Sequence, residues 1–457
     1  MKRLIGLCRW ESEAGSSWWF CPPKINDDSS GPTCMDSRLS GFYKGSPAER
    51  RQALIDAGVD PETVESLRGG KLGVDGADAV SENVVGTLEY PIGIATNFQI
   101  DSEDTLVPMA VEETSVVAAA SFGARMARGT GGFTTDVSGP IMIAQIQATD
   151  VPAPHHAKST VLDAADDLIE LANEQDPVLV EHGGGCEDVQ VRVIDTPRGE
   201  MLITHLIVDV RDAMGGNAVN TMAEALAPEI EELTGGDVSL RILSNLADRR
   251  LARATCTIEP DALETEDVAL SGEEIRDRIV DAWAFAACDP YRAATHNKGI
   301  MNGIDAVATA TFNDWRAIEA GAHAYAAQDG YGPLTTYEVD ADGRLACSIE
   351  LPIQVGTVGG ATRLQPTAEA ALELLDVDSA DELAGVFAAV GLAQNFAGLR
   401  ALVSEGIQRG HMSLHAKNIA VQAGAPDDLV DEVAARMVAE EAVRQDRAEE
   451  LIDELTE

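Results

Sequence analysis

Met201-Leu-Ile-Thr-His-Leu-Ile-Val-Asp-Val210, Arg211-Asp-Ala-Met-Gly-Gly-Asn217 and the run from Ala218 to Leu233 follow one another without a break. The first stretch is apolar and rich in β-branched residues, which reads as a strand. The third reads as a helix. Between them, Gly215 and Gly216 sit where a strand gives way to a helix N-terminus, a place that accepts a pyrophosphate. Taken alone, the same residues also make an ordinary tight turn. They do not fit GxGxxG, and neither do Gly183, Gly184 and Gly185 or Gly129, Gly131 and Gly132. A standard Rossmann fingerprint is therefore missing.

Further strands are expected at Ile141–Ala148, Val189–Ile194 and Val238–Ile242, and a helix at Thr160–Glu174. Strands and helices that alternate with hairpin-like pairs indicate an α+β layer over residues 138–245. It interrupts a larger unit, 35–137 and 246–405, and so reads as an insertion. In the larger unit, strands are expected at Gly93–Ile100 and Thr105–Pro108. Helices are expected at Pro61–Leu67, Val116–Ala127 and Arg316–Ala327. Ser46 and Glu49 have capping-box spacing. Residues 406–457 read as a helical tail, broken at Gly424–Pro426. Residues 1–34 hold Trp10, Trp18, Trp19, Cys8, Cys21 and Cys34 and are charge-balanced, unlike the rest; they read as an extension foreign to the fold.

Acidic residues outnumber basic ones 77 to 33, for a net charge of −44, and the only lysines are Lys2, Lys24, Lys44, Lys71, Lys158, Lys298 and Lys417. Such a surface repels phosphate backbones and anionic lipid, which excludes nucleic-acid and membrane-surface partners. The chain keeps 45% apolar residues, so it is folded and not an acidic disordered segment. A salt-adapted surface is the better reading, because screening over about 3 Å at 1 M salt makes such self-repulsion tolerable. No apolar run is expected to reach the roughly 20 residues of a membrane span. The seven cysteines are scattered without a CxxC pair. That indicates reduced thiols in the cytoplasm.

Chemistry concentrates in a few places. Asp289-Pro-Tyr-Arg-Ala-Ala-Thr-His-Asn-Lys-Gly-Ile-Met-Asn-Gly-Ile304 packs Arg292, Lys298 and Asn302 into one span. A lysine there is either a surface cation or a group that holds an oxyanion. Glu112 and Glu113 precede an apolar helix, either as favourable helix-end charge or as a proton donor at the mouth of a site. Asp314 fits a helix cap as readily as a catalyst. His411 and His415 share a helix face, but Met412 stands where HExxH needs glutamate. No metal is expected; His411 suits protonation of a thiolate near neutrality.

Together these segments resemble the hydroxymethylglutaryl-CoA reductase family, in its soluble bacterial-type branch. The resemblance rests on Glu82-Asn-Val-Val-Gly86, Pro108-Met-Ala-Val-Glu-Glu113, Asp212-Ala-Met-Gly-Gly-Asn217, the Asp289–Ile304 segment, Gly356-Thr-Val-Gly-Gly360 and Gly410-His-Met-Ser-Leu-His415. It implies Glu113, Lys298, Asp314 and His411 as catalytic residues. Glu82, Asn83, Ser115, Arg292, Asn302 and Asn395 would contact substrate. Asp212, Met214, Gly215 and Asn217 would form the cofactor turn. The cofactor would be NADH or NADPH. Asp176 occupies a position where an acid bonds the ribose 2′-hydroxyl and repels a 2′-phosphate, which leans towards NADH. The family's N-terminal arginine near the CoA phosphates is absent; Tyr43 and Lys44 stand there.

The implied fold is α+β. It has a large mixed domain, an inserted non-Rossmann, ferredoxin-like cofactor domain and a mobile helical C-terminal flap. The implied assembly is an obligate homodimer, or a higher oligomer of dimers, with the site at the interface. The reaction would convert hydroxymethylglutaryl-CoA into mevalonate and CoA with two NAD(P)H, for isoprenoid precursors; mevalonate breakdown is the reverse alternative. Another NAD(P)-dependent acyl-CoA reductase, a non-catalytic CoA-binding protein and a thioester hydrolase compete with this reading. The last would need a GxSxG elbow, which the chain lacks.

Overall fold

The computed structural model describes residues 35–265, 268–359, 365–404, 406, 416–426, 428–440 and 442–456. The expectations for residues 1–34, for Gly360 and for His411 and His415 fall outside these. The helices are α1 (Pro47–Asp56), α2 (Pro61–Ser66), α3 (Gly73–Val80), α4 (Val116–Ala127), α5 (Pro154–Asp163), α6 (Ala165–Asn173), α7 (Pro177–Glu181), α8 (Gly216–Thr234), α9 (Pro260–Leu263), α10 (Gly272–Cys288), α11 (Pro290–Ala310), α12 (Trp315–Ala326), α13 (Pro366–Leu375), α14 (Ala380–Val403), α15 (Val430–Ala439) and α16 (Gln445–Thr456). The strands are β1 (Ile92–Ile100), β2 (Glu103–Ala110), β3 (Thr134–Val137), β4 (Ile141–Thr149), β5 (Gly185–Thr196), β6 (Gly199–Asp209), β7 (Asp237–Ser244), β8 (Leu251–Ile258), β9 (Thr335–Val339) and β10 (Leu345–Pro352).

Local signals hold where the sequence is explicit. The Ser46 hydroxyl accepts from Glu49 N, and the Glu49 carboxylate accepts from Ser46 N at 2.7 Å, so the capping box starts α1. The Val116–Ala127 helix has the expected bounds. Between β4 and β5 one expected helix is two, α5 and α6, hinged at Ala164 (φ −94°, ψ 9°). Leaving helical geometry there lets each piece bury its own apolar side, Val161 on one and Leu168 and Ala172 on the other.

The segment from β4 to β7 runs strand, helices, strand, strand, helix, strand. Its antiparallel sheet has the order β5-β6-β4-β7, the ferredoxin-like arrangement. One face buries Ala144, Ile146, Leu202, Leu206 and Val208 against Val161, Val219, Met222 and Leu226 of α5 and α8. On the other face of β6, Ile203, Ile207 and Asp209 are buried too, so β6 shows no clean in–out alternation. A second sheet, β3-β8-β10-β9, and the β1–β2 hairpin share the largest core with α4, α10, α11, α12 and α14. The tail has a small apolar cluster of its own, with Val433, Met437 and Leu451.

One expectation needs correction. The sequence does contain a helix long and apolar enough to cross a membrane, α14 (Ala380–Val403). Glycine and alanine dilute its hydrophobicity, which hides it on reading. It is a core helix: its neighbours are α11, α4 and β8, and Phe387, Val390 and Phe396 are fully buried in the largest core.

Candidate active site

Helix α11 presents the chain's most conspicuous lysine. Asp289 caps it, accepting from Arg292 N at 2.8 Å, and Pro290 sets its first turn. The two residues before Lys298 are locked inward. His296 is 1% exposed, and its Nε2 lies 2.6 Å from Thr335 Oγ1. Burial and the Arg292 charge push its pKa down to about 3, so the ring is neutral. Asn297 donates to Gly332 O at 2.9 Å and accepts from Leu334 N at 3.1 Å. With both neighbours fixed, Lys298 leaves the opposite side, its side chain 62% exposed.

The Lys298 Nζ lies 3.2 Å from Glu113 Oε2, across 185 residues of sequence. An ion pair this exposed contributes only about 0–1 kcal/mol to stability. The pair is thus a poor staple for the fold. Glu113 lies on the link from β2 to α4, ahead of Ser115, which adopts φ 76°. A left-handed serine costs roughly 1–3 kcal/mol and persists where its surroundings impose it. Its side chain does not cap α4, so the hydroxyl is not spent on the helix. Asn302, one turn beyond Lys298, makes no hydrogen bond among the described residues. Arg292 is half-buried, and burial lowers its pKa.

Other expected residues lie elsewhere. Asp314 caps α12, accepting from Arg316 N at 3.1 Å and Ala317 N at 3.2 Å, with the Arg316 guanidinium 3.2 Å away. No hydrogen bond joins it to Lys298 or Glu113 among the described residues. Asn395 is buried against α11: it accepts from Tyr337 Oη at 2.9 Å and donates one of its two amide hydrogens to His296 O at 3.0 Å. It braces α11, and its second amide hydrogen has no partner among the described residues. Glu82 and Asn83 lie on an exposed ribbon that carries Val85 and Leu88, 98% and 83% exposed. His411 lies outside the described residues.

The 212–217 turn is built from backbone. Gly215 caps α8 at φ 91°, and a Cβ there would lie 2.5 Å from the Val210 side chain. Among the described residues no side chain caps α8, so the first amides of a 19-residue helix have no side-chain partner there. That fits a phosphate ligand. The carbonyl of Asp212 accepts from Thr357 N at 2.9 Å, and its carboxylate accepts from Ala380 N at 2.9 Å. Gly356 packs so closely that a Cβ would lie 2.6 Å from Met214 N. Its amide donates to Asn313 Oδ1 at 2.9 Å, next to Asp314. The turn is thereby tied to the start of α12. Asp176 caps α7, accepting from Leu179 N at 3.0 Å; beyond α7, Gly183 O accepts from Arg211, which directly precedes the turn.

Reading the sequence missed two features. A cleft of about 1040 Å³ runs beside α4, lined by Val117, Ser121 and Arg125 and by Lys44, Arg50, Arg51 and Arg68, with no acid in its wall. Its cations are dispersed over 90 residues and meet only on folding, although their scarcity elsewhere was a usable signal. The second is Arg250, a buried arginine beneath the turn. Among the described residues, no cluster of histidine, cysteine, aspartate and glutamate could hold a metal ion.

Comparison with known proteins bears on this arrangement. Residues 46–416 match the family profile described as hydroxymethylglutaryl-coenzyme A reductase. A 3-hydroxy-3-methylglutaryl-coenzyme A reductase of Archaeoglobus fulgidus is 57% identical over 422 residues, 92% of this chain and 95% of that protein. A solved reductase of that name from Streptococcus pneumoniae is 42% identical with a TM-score of 0.78, covering 91% of this chain and 99% of that one. The class II enzyme of the same organism, bound to NADPH in open conformations, is 43% identical with a TM-score of 0.77, covering 80% and 100%.

Proposed function

Because the chain belongs to the hydroxymethylglutaryl-coenzyme A reductase family, we propose that the Glu113–Lys298 pair, the basic cleft and the 212–217 turn are its reaction centre, CoA cradle and cofactor seat. The protein is an NAD(P)H-dependent reductase of hydroxymethylglutaryl-CoA. The observation that carries the assignment of parts is the Lys298–Glu113 contact beside a cleft walled with cations in a chain of net charge −44.

The free carboxylate of the substrate meets Arg292 and the Ser115 hydroxyl, with Asn302 and the Glu82–Asn83 ribbon closing round it. The CoA phosphates lie among Lys44, Arg50, Arg51 and Arg68, which replace the family's missing arginine. From Val117 to Arg125 the cleft follows α4 for about 12 Å, so an extended thiol arm leads back towards Glu113. The nicotinamide cofactor supplies two hydrides in succession. Lys298 donates to the thioester oxygen and holds the charge that develops there. His411 protonates the departing thiolate, and Glu113 protonates the second alkoxide to give mevalonate.

Asp314 comes from the partner subunit of a homodimer, which reconciles its distance from Lys298 within one chain. Residues 138–245 are the cofactor domain, inserted between 35–137 and 246–405, and residues 406–457 are the flap, which opens between the two hydride steps. Asp176 favours NADH by repelling a 2′-phosphate. The carboxylate-rich surface serves a cytoplasm of high salt. The test follows nicotinamide absorbance with purified protein and hydroxymethylglutaryl-CoA, NADH against NADPH, in high salt. Two equivalents oxidised per CoA released support the reading; CoA release without oxidation defeats it.

A further inference from the structure

Beneath the 212–217 turn lies Arg250, 3% exposed. Its Nη1 donates to Ala213 O at 3.2 Å and to Met214 O at 3.3 Å, and its Nη2 donates to Val355 O. Its own carbonyl accepts from Ile353 N at 3.1 Å, so the residue is pinned at both ends. Burial lowers its pKa to about 10, while Asp381, Asp209 and Asp212 support the charge; it remains a cation at neutral pH. Burying a cation is expensive, and no carboxylate forms a salt bridge with it among the described residues. Its donors go instead to main-chain oxygens of two separate segments.

A trans peptide is planar, so a carbonyl drawn one way aims the next N–H the other way. Arg250 draws in the oxygens of Ala213 and Met214. The amides of Met214 and Gly215 therefore face away from the guanidinium; that of Met214 lies towards Gly356 and Val358, where Ala213 and Val358 form a parallel bridge, and that of Gly215 has no protein acceptor among the described residues. The Gly215 amide adjoins the uncapped first amides of α8. Consecutive amides held in this way form an anion-binding nest.

We infer that Arg250 is a positioning residue for cofactor binding: its fork fixes the 213–215 peptides so that the Gly215 amide joins the α8 N-terminus in one cradle for the cofactor's diphosphate. The inference rests on the assignment of 212–217 as the cofactor turn. Lysine cannot replace it, because one ammonium cannot reach three oxygens in fork geometry.

The test measures KM for both substrates and the Kd of NADH and NADPH in Arg250→Lys and Arg250→Met, with Asn217→Ala as a control. Arg250→Lys should raise the cofactor KM about tenfold, the factor for one lost charge-assisted hydrogen bond, with the hydroxymethylglutaryl-CoA KM nearly unchanged. Equal rises in both KM values, or an unchanged cofactor KM, overturn it. If Asn217→Ala weakens the cofactor and Arg250→Lys does not, only the positioning role falls; if neither does, the turn assignment falls as well. Amide exchange of the wild-type protein decides even if the variants fail to fold. The Gly215 amide should exchange freely before cofactor is added and become protected with it; protection without cofactor, or none with it, overturns the inference.

Discussion

On α11 the proposed reactive group is the end of a flexible side chain, whereas at the head of α8 the proposed binding group is the backbone itself. Lys298 is solvent-exposed and makes one weak ionic contact with Glu113, although the residues just before it are among the most buried in the chain. The 212–217 turn has the reverse construction: among the described residues the Gly215 amide has no acceptor, and the turn behind it is fixed by Gly356, Asp212 and Arg250. A group that must follow charge from a carbonyl to an alkoxide needs freedom at its tip. A group that must meet an unchanging diphosphate needs none.

The largest effect should come from Lys298→Ala. Since Lys298 is exposed, the fold should survive while kcat falls by about 10²–10³ or more. Retention of a tenth of wild-type rate in a stopped assay would refute the oxyanion role. Mixing the inactive Lys298→Ala and Asp314→Asn proteins should then restore activity, because one site of the mixed dimer would be intact. No recovery after subunit exchange would mean that Asp314 serves its own chain or none.

Gly356→Ala should break the other half of the comparison. A Cβ placed 2.6 Å from Met214 N must displace the turn, at about 1–3 kcal/mol of overpacking. The cofactor KM should rise more than that of hydroxymethylglutaryl-CoA; equal changes would contradict the assignment of the turn.

The smallest effect concerns how α11 is braced on α12. Asp305 on α11 meets Glu319 on α12, and burial together with the Glu319 charge pushes its pKa up to about 8. His323 lies 2.8 Å from Glu319 and 2.8 Å from the Tyr331 hydroxyl, which in turn accepts from Asn297. Between the ordinary value of 3.8 and about 8, the folded protein holds a proton that the unfolded chain has lost. Stability should therefore fall as pH rises through that window. Glu319→Gln should flatten the decline in thermal midpoints from pH 6 to about 9; an identical slope would remove the pair from the account.

Much of this was readable one element at a time. The capping box at Ser46, the helix at Val116–Ala127 and the strand–turn–helix at 201–233 rest on interactions within a few residues, so local pattern carries them. The strands of the large sheet were not identified, because β8 and β10 find each other across some 90 residues, and alanine and cysteine weaken their pattern. Helix α14 escaped notice for a related reason: its small residues pack closely against α11 and α4, a fit that only neighbours reveal.

By itself the sequence determined the chemical cast, because residue type and spacing fix which groups can donate, accept or carry charge. The lysine among asparagines, the acid pair before an apolar helix and the glycines at the head of α8 were all visible there. Only tertiary structure decided which of them meet. It set Glu113 against Lys298, assigned Asp314 to a helix cap, gathered dispersed arginines into one cleft and placed Arg250 under the turn. Contacts between residues distant in the chain depend on how cores close, and packing, unlike propensity, belongs to no single segment.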